Sequence, residues 1–261
     1  MLAGRLPSFT AMVVACARGA RGGPDDVSHR LVPRPVARPL AVALRAASFG
    51  LVPHVIGRTN AIDAVVCQRA CPQLVVLGAG LDARAHRMRE LSGTTVFEVD
   101  HPSTQAIKRT RAAAFPITAR AVRYVPVDFE HDDLARSLDA AGHDVHVPTT
   151  WIWEGVTMYL TREAVRATLA LIAARSAAGS TLVLTYGTPE LAHGPRIVRS
   201  VRPLVKPAFA LLGEPLRYLP AREEIAALVC EHGFRVERDL EPPSTIAERV
   251  LVTVRESSGP S

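Results

Sequence analysis

Two glycines in the sequence are spaced for close contact between the backbone and a ligand. Gly78 and Gly80 follow the short apolar run QLVVL (73–77) and precede a helix that we expect to begin near Arg84. Only a backbone without side chains turns this sharply and lets a nucleotide-like ligand approach the main chain. The segment 78–83 fits the glycine pattern of dinucleotide-binding proteins, although a tight turn that binds nothing has the same appearance.

Asp100 lies where the second predicted strand ends, 22 residues after Gly78. A carboxylate at that position accepts hydrogen bonds from both hydroxyls of a ribose. Its alternative role is to cap the helix that Pro102 begins. We favour the ribose because the glycine turn lies at the right distance along the chain.

Asp128 and Phe129 follow the third predicted strand, VRYVPV (122–127). There an acid accepts from an adenine amino group, and the neighbouring side chain covers the ring. This pair favours S-adenosylmethionine over a nicotinamide cofactor, which would also need a second mononucleotide-binding half that the sequence lacks. Asp128 has a second role open to it, as the N-cap of a helix predicted at 131–141.

Glu154 follows the fourth predicted strand, TWIW (150–153), and Tyr159 lies five positions further on. A carboxylate beside two tryptophans costs free energy to bury unless a positive group pairs with it. The sulfonium or the amino group of S-adenosylmethionine would supply that charge, and so would one of the many arginines.

The sequence assigns no catalytic residue. If S-adenosylmethionine donates its methyl group to a carboxylate, that acceptor is already ionised at neutral pH and needs no base. A phenol or alcohol that accepts the methyl group would need one. Four residues near predicted strand ends or in the predicted insertion are candidates for that base, although a packing or surface role accounts for each at least as well: His86, Tyr159, Tyr186 and His193. Tyr159 and Tyr186 are the candidate substrate contacts. Arg84 could bind an acidic substrate, but we favour structural ion pairing for it.

The elements that must position these residues follow an α/β pattern. Continuous apolar runs alternate with helical stretches from residue 73 onward, as in strands that are covered on both faces, and the spacing leaves room for crossover helices. The clearest helix spans 162–176, with Thr161 as N-cap. Two last runs, 234–240 and 249–255, predict an antiparallel pair. The predicted parallel strands are 73–77, 95–99, 122–127, 150–153 and 181–186.

We expect one domain over residues 1–261, because single α/β domains often reach this size. Within it, 1–70 is a helical N-terminal segment and 73–187 is the cofactor-binding core. The proline-rich stretch 188–219 is an insertion or lid near the mouth of the site, and 220–256 holds a helix and the β pair.

Composition narrows the classes of partner. The 31 basic residues against 25 acidic ones give a net charge of +6, but only Lys108 and Lys206 are lysines, and the arginines are scattered among acids. This pattern does not indicate a nucleic-acid partner. The four cysteines lack metal-type spacing, so we predict no metal site. No segment has the uninterrupted apolar length of a membrane span. We expect a cytoplasmic protein with a small-molecule acceptor; the oligomeric state is not readable.

Six blocks, taken in order, resemble the leucine carboxyl methyltransferase family, including its bacterial branch of S-adenosylmethionine-dependent enzymes and polyketide O-methyltransferases. The likeness covers roughly residues 56–187. It implies a class I methyltransferase fold: a Rossmann-like, mostly parallel sheet with an antiparallel C-terminal strand, preceded by a helical segment. The blocks are IGRTNAIDAVV, VVLGAGLDARAHRM, VFEVDHPSTQAIKR, VRYVPVDFE, PTTWIWEGVTMYL and AAGSTLVLTYG.

The resemblance also implies a role for each site residue. The predicted contacts are Arg58 with the cofactor carboxylate, Gly78 and Gly80 in the glycine turn, Asp100 with the ribose, Asp128 and Phe129 with the adenine, and Glu154 with the methionine end.

The chain departs from the expected pattern at two places. A generic methyltransferase has an acid two residues before the first glycine, where this chain has Val76. A basic residue often precedes the first family block, and the candidates for it are Arg18, Arg21, Arg30 and Arg34. The binding of the methionine carboxylate is therefore only partly defined by the sequence.

Family members methylate a protein's C-terminal carboxylate or small secondary metabolites. The resemblance implies methyl transfer from S-adenosylmethionine to an oxygen, carboxylate or hydroxyl, and we favour a small metabolite. Two alternatives stay open: a nicotinamide-dependent oxidoreductase built on the same glycine turn, and a protein that binds S-adenosylmethionine without catalysis.

Overall fold

The computed structural model describes residues 9–20, 25–47, 50–69, 71–129, 131–193, 216–244 and 246–256. The strands are β1 (Gln73–Leu77), β2 (Thr95–Asp100), β3 (Ala121–Pro126), β4 (Thr149–Trp153), β5 (Thr181–Gly187), β6 (Phe234–Leu240) and β7 (Glu248–Arg255). The α-helices are α1 (Phe9–Arg18), α2 (Ser28–Leu31), α3 (Arg34–Ala47), α4 (Leu51–Arg69), α5 (Arg84–Arg87), α6 (Pro102–Ala112), α7 (Leu134–Ala140), α8 (Arg162–Ala174) and α9 (Arg222–Glu231).

The strands form one mixed sheet in the order β3-β2-β1-β4-β5-β7-β6. Strands β1 to β5 pair in parallel, and β7 pairs antiparallel to both β5 and β6. The sheet confirms the predicted fold, mostly parallel with an antiparallel C-terminal pair. Its last strands differ from the second parallel half that a nicotinamide-binding fold would have.

The central strands β1, β4 and β5 are buried along their whole length because helices cover both faces of the sheet. On one face, Trp151 and Leu182 pack with buried residues of α7, α8 and α9. On the other face, Ile152 and Val183 pack with buried residues of α4. This packing fixes the carboxyl ends of β1, β2, β4 and β5 along one edge of the sheet.

The N-terminal helices pack on the loop that follows β1. Met12 and Ala15 of α1 lie in one cluster with Leu81, Ala83 and, from α6, Ala112. The described part of residues 1–70 contains helices and no strand, as the proline-punctuated pattern predicts. Helix α1 therefore lies over the carboxyl edge of the sheet.

The sequence-based capping assignments are partly wrong. Helix α7 begins at Leu134, and its N-cap is Asp133, which accepts from the backbone N–H of Arg136 at 3.1 Å. Asp128 thus does not cap this helix, which starts three residues later than predicted. Asp100 does not cap α6 either, because His101 is the N-cap there. Thr161 does cap α8, as predicted, by accepting from the Ala164 N–H at 3.2 Å.

The predicted insertion at 188–219 lies mostly outside the described residues, which here include a short 3₁₀ helix, Pro189–His193, and the stretch from 216 onward. Within the described ranges, none of the helices combines the length and apolarity needed to cross a membrane.

Candidate functional site

The turn after β1 requires glycine at two positions. Gly78 has φ +65° and Gly80 has φ +50°, in the left-handed region that side chains rarely adopt. A Cβ at Gly78 would lie 2.8 Å from Cγ2 of Val156, and one at Gly80 would lie 3.1 Å from Cβ of Ala11. The turn is thus packed between the end of β4 and helix α1, with its backbone presented at the sheet edge.

Asp100, at the end of β2, is held by backbone donors. The N–H of Gly80 donates to its Oδ2, and the N–H of His101 donates to its Oδ1 at 2.6 Å. Burial raises the pKa of Asp100, and the two N–H groups oppose that rise. Since each carboxylate oxygen has two acceptor sites, Asp100 retains capacity for two hydroxyl donors. The residue is only half-buried, so its chemistry and access fit a ribose.

Glu154, at the end of β4, contacts three arginines. Its carboxylate lies 2.6 Å from Nη2 of Arg18, 3.0 Å from Nε of Arg58 and 3.1 Å from Nη2 of Arg84. The side chain is only 6% exposed. Burial alone would raise the pKa of Glu154, but the three guanidinium groups outweigh it and hold the pKa far below its ordinary value.

A second ring of carboxylates surrounds these arginines. Arg84 contacts Asp63 at 2.7 Å and also binds Asp82, while Arg58 contacts Glu248 at 2.7 Å. Arg84 therefore has the ion-pairing role that we favoured from the sequence. The network keeps each buried guanidinium matched by at least two carboxylates.

Arg58 keeps donors for a ligand. Its Nε and Nη1 bind Glu154 and Glu248, and its Nη2 makes no hydrogen bond to the described residues. A Cβ at Gly155, where φ is +69°, would lie 3.8 Å from Nη2, so the guanidinium closely approaches the backbone that follows β4. A spare guanidinium nitrogen at this edge fits a carboxylate ligand.

One of the four N-terminal basic candidates, Arg18, lies in this network. Arg18 joins Arg58 at Glu154, and its Nε also donates to Oγ1 of Thr59 at 3.3 Å. Arg30 instead lies over the ring of Phe115, 4.7 Å from its centroid. Arg34 is exposed, and Arg21 lies outside the described residues.

Asp128 and Phe129 follow β3 at the same edge. Asp128 lies 3.0 Å from Nδ1 of His131, and its backbone N–H donates to Asp132 at 2.8 Å. The side chain of Phe129 is 50% exposed. An exposed aromatic ring next to the end of β2 fits the covering of a planar base.

The structure argues against Tyr186 as a substrate contact. It is fully buried, and its hydroxyl donates to Oδ2 of Asp239 at 3.0 Å. Burial raises its pKa, so it is a poor base as well. His86 is also buried, with Nδ1 3.1 Å from the carbonyl of Pro116. Tyr159 is half-buried at the end of the 3₁₀ helix Thr157–Tyr159, and the side chain of His193 lies outside what the structure describes.

Sequence reasoning missed His54, Glu248 and Ser244. Nε2 of His54 lies 2.5 Å from Oε2 of Glu248, and Nδ1 lies 2.8 Å from Oγ of Ser244. One signal was available: His54 and Arg58 are four residues apart and therefore share a helix face. Glu248 gave no such signal, because it reaches the carboxyl edge only by starting an antiparallel strand.

Residues 25–173 match the model of the family described as leucine carboxyl methyltransferase. The chain belongs to this family. The match confirms the resemblance seen in the six sequence blocks, and the sheet is that of the class I methyltransferases. Asp100, Glu154 and Arg58 all lie within the matched residues, whereas Arg18 and Glu248 lie outside them.

Relatives and solved structures agree with this assignment. A protein of Frankia alni, whose name describes a candidate S-adenosyl-L-methionine-dependent methyltransferase, is 45% identical over 117 residues, 44% of this chain and 41% of the relative. A similarly named protein of Mycobacteroides abscessus is 32% identical over 81% of this chain and 66% of the relative. The chain thus spans less than half the length of some relatives that it matches.

The fold resembles that of magnesium protoporphyrin IX methyltransferase from Synechocystis, solved with bound SAH. The TM-score is 0.54, with 15% identity over 78% of this chain and 86% of that one.

Proposed function

We propose that this chain uses S-adenosylmethionine to methylate an oxygen of a small metabolite. One observation carries the proposal: Asp100 at the end of β2 accepts from the Gly80 N–H of the adjacent glycine turn, is only half-buried and still has acceptor capacity. That arrangement suits the ribose of a nucleoside cofactor at the carboxyl edge of a parallel sheet. Membership of the family and the names of the relatives support it.

The other site residues take roles around that contact. Asp128 and Phe129 would bind the adenine beyond β3. Arg58, with Arg18, would bind the methionine carboxylate through donors that Glu154 leaves available. Glu154 would face the methionine amino group and hold both arginines in position. Tyr159 remains the proposed substrate contact.

S-adenosylmethionine supplies an electrophilic methyl group when it binds. The chain then has to hold the acceptor oxygen in line with that group, keep water away and fix both partners. Orientation of this kind can contribute an effective concentration on the order of 10⁵ M. The rigid strand ends of β1, β2 and β4 are suited to it, because their side chains are fixed by packing on both faces of the sheet.

Isothermal titration calorimetry tests the proposal with S-adenosylmethionine, S-adenosylhomocysteine and NAD. We expect the first two to bind the wild type, and Asp100→Ala to weaken both severely. Asp144→Ala is the matched control, because Asp144 is exposed and precedes β4 at the opposite edge. Binding of NAD alone would identify an oxidoreductase, and equal effects of the two substitutions would show that Asp100 does not hold the cofactor.

A further inference from the structure

Three side chains form a hydrogen-bonded chain beside the cofactor site. Oγ of Ser244 lies 2.8 Å from Nδ1 of His54, and Nε2 of His54 lies 2.5 Å from Oε2 of Glu248. Glu248 in turn contacts Nη1 of Arg58 at 2.7 Å, and Arg58 contacts Glu154. These hydrogen bonds therefore connect Ser244 to Arg58 and Glu154, which are proposed to bind the methionine end.

The charges fix the direction of these hydrogen bonds. Burial opposes ionisation of Glu248, but the charge of Arg58 and the hydrogen bond from His54 outweigh it and lower the pKa of Glu248 to about 2. An ionised carboxylate only accepts, so Nε2 of His54 must donate. In a neutral ring Nδ1 is then an acceptor, and the hydroxyl of Ser244 donates to it. The backbone N–H of Ile246 donates to Oγ of Ser244 at 3.1 Å and supports this orientation.

A groove of about 440 Å³ opens beside these three hydrogen-bonded side chains, between the end of β5 and the loop before β7. Small-molecule pockets typically have volumes of about 300–1,000 Å³. Ser244 and Glu248 line the groove, and Ser244 is half-buried, whereas His54 is only 1% exposed. A ligand in the groove can therefore reach His54 through Ser244.

The described residues around the groove disfavour an anionic ligand. Its two arginines are already matched, Arg222 by Asp239 at 3.0 Å, and Arg249 by Asp239 at 2.8 Å and by Glu241 at 2.7 Å. Three carboxylates line the same space: Glu190, Glu241 and Glu248. A carboxylate acceptor would therefore find no unpaired guanidinium among these two arginines, whereas an uncharged hydroxyl group would find carboxylate oxygens that accept its hydrogen bond.

We propose that the methyl acceptor is an uncharged hydroxyl compound bound in this groove, and that His54 takes its proton through Ser244. The inference rests on the function proposed above. The acceptor oxygen forms a bond to the methyl carbon, and the methyl–sulfur bond breaks with its electron pair left on sulfur. The hydroxyl proton passes to Oγ of Ser244 while the Ser244 proton passes to Nδ1 of His54. Glu248 stabilises the resulting imidazolium.

Transfer of a radiolabelled methyl group from S-adenosylmethionine tests the acceptor class with paired probes, phenol against benzoate and 2-naphthol against 2-naphthoate. We expect transfer to a hydroxyl probe and none to its carboxylate partner. Ser244→Ala and His54→Gln should each reduce that rate by about 100-fold or more, the scale of general-base catalysis. Ser176→Ala is the matched control, because its half-buried hydroxyl binds the Ile172 carbonyl at the opposite edge.

A readout independent of turnover tests the base itself. In ¹⁵N spectra of histidine-labelled protein, we expect Nδ1 of His54 to lack a proton and Nε2 to carry one, with Ser244→Ala shifting the Nδ1 signal. A protonated Nδ1 in the neutral ring would overturn the inference.

Titration calorimetry with S-adenosylmethionine separates the two levels of failure. Absence of binding to the wild type would contradict the proposed function. Binding with transfer to a carboxylate probe, or to neither member of any pair, would overturn the acceptor class alone. Retained binding by Ser244→Ala with loss of hydroxyl transfer is the expected result.

Discussion

Two carboxylates, Asp100 and Glu154, lie at the carboxyl ends of strands in the same sheet, but their surroundings differ. Asp100, after β2, is half-buried and accepts from two backbone N–H groups. Glu154, after β4, is almost fully buried and contacts three guanidinium groups. Consequently, the pKa of Asp100 is raised by burial, whereas the pKa of Glu154 is strongly lowered by charge.

The difference distinguishes a carboxylate that keeps acceptor capacity from one that holds other side chains in place. Asp100 is fixed by dipoles and keeps acceptor capacity, so a ligand can bind it without displacing a side chain. Glu154 has its charge already compensated, and it determines where Arg18, Arg58 and Arg84 lie. Removing one member of such a buried cluster leaves the others unmatched.

The largest expected effect is that of Glu154→Gln. We expect the free energy of unfolding to fall by about 3–5 kcal/mol, because the buried arginines lose their central counter-charge. Asp100→Asn should reduce it by only about 1 kcal/mol, the scale of one hydrogen bond. Urea denaturation measures both, and equal losses would contradict the contrast between the two carboxylates.

A substitution in the glycine turn tests how tightly the backbone next to Asp100 is packed. Gly78→Ala should lower the free energy of unfolding by about 2 kcal/mol or more, since the positive φ alone costs about 1–2 kcal/mol and the new Cβ meets Val156 at 2.8 Å. Gly142→Ala is the control, with φ +85° and no atom within 4 Å of the added Cβ. A loss at Gly142 as large as that at Gly78 would show that the contact with Val156 is unimportant.

Lowering the pH should change the contributions of Glu154 and Asp100 to the free energy of unfolding in opposite directions. The lowered pKa of Glu154 gives stability that is present above the unfolded value, about 4.3, and is lost as the pH falls below it. The raised pKa of Asp100 means that the folded state binds this proton more tightly, so Asp100 destabilises the fold above its own pKa and that cost disappears on acidification.

Urea unfolding at stepped pH checks this prediction. Between pH 6 and pH 3, the stability advantage of wild type over Glu154→Gln should shrink by roughly 1 kcal/mol or more, while that over Asp100→Asn should grow. Parallel pH profiles for the two variants would mean that their environments do not differ as described.

The smallest expected effect on stability is that of Phe129→Ala, within about 0.5 kcal/mol, because the ring is largely exposed. Binding of S-adenosylhomocysteine should nevertheless weaken by about 1 kcal/mol or more, the scale of stacking between a base and an aromatic ring. Ile117→Ala, at a side chain 55% exposed before β3, is the control and should leave both quantities unchanged. Calorimetry with both variants provides the measurement.

Sequence patterns located the elements around the candidate site. Apolar runs located the strand ends, and the glycine spacing placed Gly80 near Asp100, because both signals depend on a few consecutive residues. The contacts that they missed join distant parts of the chain: Arg18 and Glu154 are 136 residues apart, and His54 and Glu248 are 194 apart. No local pattern encodes such pairs.

The capping error has a local cause. Asp128, Asp132 and Asp133 follow β3 within seven residues, and each has a side chain suited to begin a helix. The structure uses Asp133 because α7 starts only at Leu134. Asp132 instead accepts from the Asp128 N–H, and this bond fixes the turn that places Phe129 at the sheet edge.

Arg58 is shared by the two ends of the site, since it binds Glu154 on one side and Glu248 on the other. A carboxylate that draws on its remaining nitrogen changes the field felt by Glu248, and with it the hydrogen bond to His54. If the proposed cofactor and acceptor sites are both correct, their occupancies are thereby thermodynamically linked. Linkage is reciprocal, so the factor by which the first ligand alters the affinity of the second is also the factor by which the second alters the first.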